Sequence, residues 1–138
     1  MKKSYFKKIF SIVLLLAVIV TALNLTVSAR YNYIDLLSSG LSINSIGLAT
    51  CTGVVTPSYN DTKATLNVEL QKKGSNNVWS PEGGAWSGSG TGNNPIAVEG
   101  KKYVVHGTYR VLVTAKIYSS SSGALLETQS MYSPEVTY

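Results

Sequence analysis

The chain has 138 residues with 12 basic and 7 acidic side chains, one cysteine and one histidine. Lys2, Lys3, Lys7 and Lys8 lie within the first 29 residues, which hold no acid, so the rest carries eight basic and seven acidic groups, a net charge of +1. What remains is enough for one domain with a modest core; near-neutrality removes a nucleic-acid reading from charge, and a lone cysteine excludes intrachain disulfides and cysteine-based zinc clusters.

Met1–Lys8 is basic, and Ile12–Val20 is an unbroken apolar run of nine residues. A spanning helix needs about 20 apolar residues, so the run fits a signal peptide instead. Val27-Ser28-Ala29 supplies small residues at the −3 and −1 positions before Arg30, and Val20-Thr21-Ala22 is a second candidate. The expectation is a signal peptide over 1–29 and a single domain over 30–138, secreted, meeting the membrane only during export. Leu48-Ala49-Thr50-Cys51 faintly resembles a lipidation motif, but it lies about thirty residues beyond the apolar run, with Thr50 where a small residue is needed. Cys51 reads as a small buried hydrophobe, with an intermolecular disulfide as the alternative. Export without disulfides points to a bacterial source.

Beyond Arg30 no segment sustains a 3.6-residue apolar period. Tyr31–Leu37 is the first predicted strand. Leu41–Thr56 is a long candidate whose apolar phase slips between Ile43 and Ile46, beside Gly47, which predicts a bulge. Lys63–Lys73 alternates, with Ala64, Leu66, Val68 and Leu70 on one face, the period of a half-buried strand. Gly74 and Asn76 suit a hairpin before Val78. Ser80–Pro95, rich in Gly, Ser and Asn, is expected as a long, mobile loop of the kind that often carries function. Ile96–Val98 follows as a short strand. Tyr103–Tyr118 alternates throughout, and its length predicts a bend near Gly107. Ser119–Gly123 turns the chain back along Leu125–Tyr132. About seven strands around one core give an all-β antiparallel sandwich.

Gly107-Thr108-Tyr109-Arg110-Val111 resembles the Gly-x-Tyr-x-Cys of the sixth strand of immunoglobulin-like domains, with Val111 in the cysteine's place. The resemblance implies a Tyr109 hydroxyl bonded back to the chain, and Cys51 on the second strand facing Val111. The family's central tryptophan is not matched. A second resemblance rests on Tyr33-Ile34, Gly47-x-Ala49-x-Cys51, Leu70-Gln71, Trp79, Trp86 and Gly107 with Tyr109-Arg110. Their order is similar to a family of small secreted, functionally uncharacterised proteins of Gram-positive anaerobes, and it implies secretion and a fold but no activity.

The inventory for chemistry is thin. His106 is expected on the polar face of its strand, without a nucleophile elbow to serve. Asp35, Asp61, Glu69, Glu82, Glu99, Glu127 and Glu135 are scattered one to a segment, so a glycosidase pair would have to assemble from separate strands. Asn60-Asp61 and Asn93-Asn94 are too sparse for calcium, and Gly88–Gly92 lacks the lysine and helix of a phosphate loop. No enzyme, cofactor or metal is expected. Beyond the leader the large side chains are Trp79, Trp86 and eight tyrosines. Trp79 and Trp86 either fill the core or, with Trp86 on the Gly-rich loop, stack on a ligand, while His106, Arg110 and Lys116 add hydrogen bonds. The leading expectation is a binding or adhesion module for a glycan, a cell-wall polymer or an extracellular protein. The alternatives are a subunit that assembles through the edge strand Leu125–Tyr132 and a bacteriocin-like toxin.

Overall fold

The computed structural model describes residues 31–138, so the leader and its candidate cleavage sites lie outside the described residues. The strands are β1 (Ile34–Ile43), β2 (Leu48–Pro57), β3 (Thr62–Lys73), β4 (Trp79–Thr91), β5 (Ile96–Tyr103), β6 (Thr108–Ser119), β7 (Leu125–Tyr132) and the two-residue β8 (Val136–Thr137). They form two antiparallel sheets, one ordered β1-β2-β5 and the other β4-β3-β6-β7. This is an immunoglobulin-like sandwich, with its fourth strand on the sheet of the third.

Period-2 alternation places the core. Ala64, Leu66, Val68 and Leu70 of β3 and Tyr109, Val111, Val113, Ala115 and Ile117 of β6 are buried, and they meet Ala49, Cys51 and Val55 of β2. Each fully buried Leu, Ile or Val side chain contributes about 1.5–3 kcal/mol. A Cβ on Gly53 would come within 2.7 Å of Val68 Cγ2 and 3.0 Å of Val113 Cγ2, so the centre of β2 stays bare to let the sheets close. Cys51 sits in this core beside the same strands, and burial pushes its thiol pKa from 9.0 up to about 11. The immunoglobulin-like corner is present as well: the Tyr109 hydroxyl donates to the Val105 carbonyl at 2.6 Å, and the ring is fully buried.

Three expected features take another form. Tyr103–Tyr118 is two strands: β5 ends at Tyr103, residues 104–107 cross to the opposite sheet, and β6 begins at Thr108. The alternation runs through the crossover without a break in phase, although Tyr103 and Val105 are 66% and 65% exposed. Leu41–Thr56 is a hairpin and not a bulged strand. Asn44 Oδ1 accepts the N–H groups of Ile46 and Leu48, and Gly47 takes φ 79°, a left-handed conformation open to glycine.

Ser80–Pro95 is mostly strand and not a loop, since β4 pairs along β3 from Lys63↔Thr91 to Lys73↔Trp79. Its glycines mark close approach. A Cβ on Gly88 would lie 2.9 Å from Val98 Cγ2, and one on Gly90 3.1 Å from Ile96 Cγ1. The register breaks between Leu70 and Gln71, and there the Lys102 ammonium of β5 donates to the carbonyl of Glu82.

The far edge closes differently. Glu127 of β7 turns to the start of β1, its carboxylate accepting the N–H groups of Asn32 (3.3 Å) and Tyr33 (2.7 Å). Along β6, β7 pairs with Leu112–Tyr118 and β8 with Thr108 and Tyr109, so the two form one broken line. In the break Ser133 Oγ accepts the Val111 N–H and donates to the carbonyl of Pro134, both at 2.9 Å.

Candidate functional site

The residues singled out from sequence divide among three places. Trp86 sits mid-β4, half-buried and packed against the core, with its indole laid over Gly100. It is therefore not on a mobile loop. His106 lies in the crossover before β6 and not on that strand's polar face; it is exposed and stacks on Tyr138 with ring centroids 4.6 Å apart. Trp79 and Arg110 come together on the outer face of the five-stranded sheet.

Register explains that meeting. Arg110 of β6 stands opposite Gln71 of β3, and Trp79 of β4 opposite Lys73. Arg110 Nε donates to Gln71 Oε1 at 2.9 Å, and Gln71 Nε2 donates to Glu69 Oε1 at 2.9 Å. The guanidinium carbon lies 4.2 Å from the Trp79 ring centre and 3.8 Å from that of Tyr132, the rings arriving from opposite edges of the sheet. A guanidinium over each ring contributes about 0.5–2 kcal/mol. Lys73 Nζ also approaches the Trp79 ring, at 5.5 Å, and pairs with Glu135 at 3.6 Å. The terminal amino groups of Arg110 make no hydrogen bond among the described residues.

Tyr132 and Gln71 are the members that sequence reasoning missed. Tyr132 pairs with Leu112, one position diagonal to Arg110 on the same face, because the register slips by one residue between Tyr118↔Leu125 and Ile117↔Glu127; counting straight back from the Ser119–Gly123 turn would set Tyr132 against Val111 on the buried face. The turn is legible in the sequence and the slip is not, so no local signal pointed to Tyr132.

The rest of the face carries mostly short polar side chains. Ser87, Asn67, Thr114 and Ser130 form one rung across the four strands, and Ser89, Thr65, Lys116 and Thr128 the next. Tyr118 pairs with Lys63 at the far end, about 27 Å from Arg110 along β6. Most carboxylates have structural partners: Asp35 accepts from Ser58, Glu69 from Gln71, Glu127 from the N–H groups of Asn32 and Tyr33, and Glu99 pairs with Lys101. Among the described residues no three His, Cys, Asp or Glu side chains are grouped as metal ligands would be. Neither a family model nor a curated protein matches the chain.

Proposed function

We propose that the protein is a secreted, non-catalytic binding module of a bacterium, which takes an extracellular ligand on the outer face of the β4-β3-β6-β7 sheet. Export rests on the leader pattern of residues 1–29, and the resemblance to small secreted proteins of Gram-positive bacteria supports it. The observation that carries the reading is Arg110. Its guanidinium is held in one orientation by two rings and Gln71, with its terminal amino groups left to make bonds. A donor fork already ordered loses little conformational freedom when an acceptor arrives, which is how preorganisation raises affinity. Tyr132, 53% exposed, offers a ring beside it for a sugar or an apolar group.

Edge pairing through β7 is the second reading, favoured by Leu125 and Leu126, which are 55% and 37% exposed at the start of that strand. Sedimentation separates the two, because pairing makes the mass rise with concentration and a binding module stays monomeric.

The test is a tryptophan-fluorescence titration of the sandwich against soluble glycans and cell-wall fragments. A ligand on this face changes the emission of Trp79, and binding falls in Arg110→Gln while the fold persists. A flat response across the panel, or binding indifferent to Arg110→Gln, refutes the assignment.

A further inference from the structure

Seven lysines and arginines lie within the described residues. Five are engaged: Lys73 with Glu135, Lys101 with Glu99, Lys102 with the Glu82 carbonyl, Lys72 over the Tyr109 ring, and Arg110 between Trp79 and Tyr132. Lys63 and Lys116 have no ion pair, hydrogen bond or ring contact among the described residues. They are also neighbours. Lys63 stands opposite Tyr118, and Lys116 opposite Thr65, so the two lysines occupy diagonal positions on one face of the β3–β6 pair. Thr91 and Thr128 flank them on β4 and β7, and no carboxylate stands on these rungs. Asp61, two residues before Lys63, accepts the Ser120 N–H through its backbone carbonyl.

A concavity of ≈ 480 Å³ opens at this end of the face, with Lys63, Thr65, Thr91, Tyr118 and Ser120 in its lining. Two like charges repel each other, and neither lysine is paired with an acid among the described residues, so an incoming anion relieves a repulsion as well as gaining an attraction. Hydroxyls and a tyrosine ring are the complement of a sugar and not of a bare ion.

We propose that this concavity and the rung beside it bind an acidic glycan chain, with a sugar ring against Tyr118, its carboxylate or sulfate between Lys63 in the lining and Lys116 on the adjoining rung, and its hydroxyls on Thr65, Thr91 and Ser120. The assignment rests on the binding reading above and names the class of ligand for it. A chain lying along β6 toward Arg110 spans the sheet face and meets a third cation at its other end. Only two unpaired ammonium groups and a near-neutral domain are available, which is too little charge for a nucleic-acid backbone.

The experiment is a calorimetric titration of the sandwich (Tyr31–Tyr138), a compact unit with a core of its own, using short oligogalacturonate, neutral malto-oligosaccharide and tripolyphosphate as probes. Oligogalacturonate is expected to bind saturably and the other two far more weakly. The double variant K63Q/K116Q is expected to weaken that binding about tenfold or more, while K101Q on the opposite sheet leaves it unchanged. Equal losses in K101Q and K63Q/K116Q overturn the site, and tripolyphosphate binding as tightly as the sugar acid overturns the glycan class. No binding of oligogalacturonate, with an Arg110-dependent ligand found in the broader panel, overturns this proposal and leaves the binding module standing. No ligand in either experiment overturns both.

Discussion

Gly100→Ala is the substitution that most directly tests how β4 is held to β5. A Cβ at Gly100 would lie 1.8 Å from Trp86 Cδ2, 2.2 Å from Cε2 and 2.3 Å from Cε3, inside the fused bond of the indole. The ring has little room to slide along its own strand, because a Cβ built on Gly84 already comes within 2.6 Å of Trp86 Cη2. The methyl group therefore drives the indole out of its half-buried seat or pushes β5 away from β4. Overpacking costs about 1–3 kcal/mol and deletion of a packed Trp about 3–5 kcal/mol, so about 3 kcal/mol is expected. For a domain of this size each kcal/mol lowers Tm by roughly 4–8 °C. The assay is urea unfolding of wild type, Gly100→Ala, Trp86→Ala and the double variant. With the indole gone, alanine at 100 meets no clash, and its cost is expected to fall within about 0.5 kcal/mol of zero, a coupling of about 2–3 kcal/mol between the two sites. If Gly100→Ala costs the same with and without Trp86, the packing argument is wrong.

Two further outcomes follow from single contacts. Tyr109→Phe keeps the buried ring but loses the 2.6 Å bond to the carbonyl of Val105, a residue at the surface, so a loss of about 1 kcal/mol is expected in urea unfolding; an unchanged midpoint contradicts a structural role for the hydroxyl. Cys51 has its pKa raised from 9.0 to about 11 by burial, so the fold favours the neutral thiol. Its contribution is complete below about pH 9 and is lost as pH rises toward about 11, a fall of up to about 2 kcal/mol. Wild type and Cys51→Ala compared over that range check this, and parallel alkaline profiles would rule it out.

The strands legible in the sequence are those buried on one face. In β3 and β6 apolar residues recur at every second position because the opposite sheet supplies a surface to bury them on. β4 gave no such signal for a physical reason. It faces β5 where the sheets come nearest, its inward positions carry Gly84, Gly88 and Gly90, and its existence depends on backbone pairing with β3. Composition alone therefore read as a loop. The crossover at residues 104–107 was hidden because apolar and polar residues kept their phase through it.

The site was half legible. Trp79 and Arg110 were visible by type, whereas their partnership with Tyr132 depends on two registers that no local pattern states. His106 was placed on a strand that starts two residues later, and Trp86 was drawn outward by its glycine-rich surroundings.

The line formed by β7 and β8 bears on how such domains keep apart. An exposed edge strand is a template on which another chain can grow, and eight uninterrupted residues suffice to start a ribbon. Here the template stops at Tyr132. Ser133 spends its hydroxyl on the Val111 N–H, and Pro134 has no N–H to offer a newcomer, before β8 resumes for two residues. A second chain docking along this edge would lose its ladder at that step and could not extend past it, so the break confines any pairing at this edge to the length of β7.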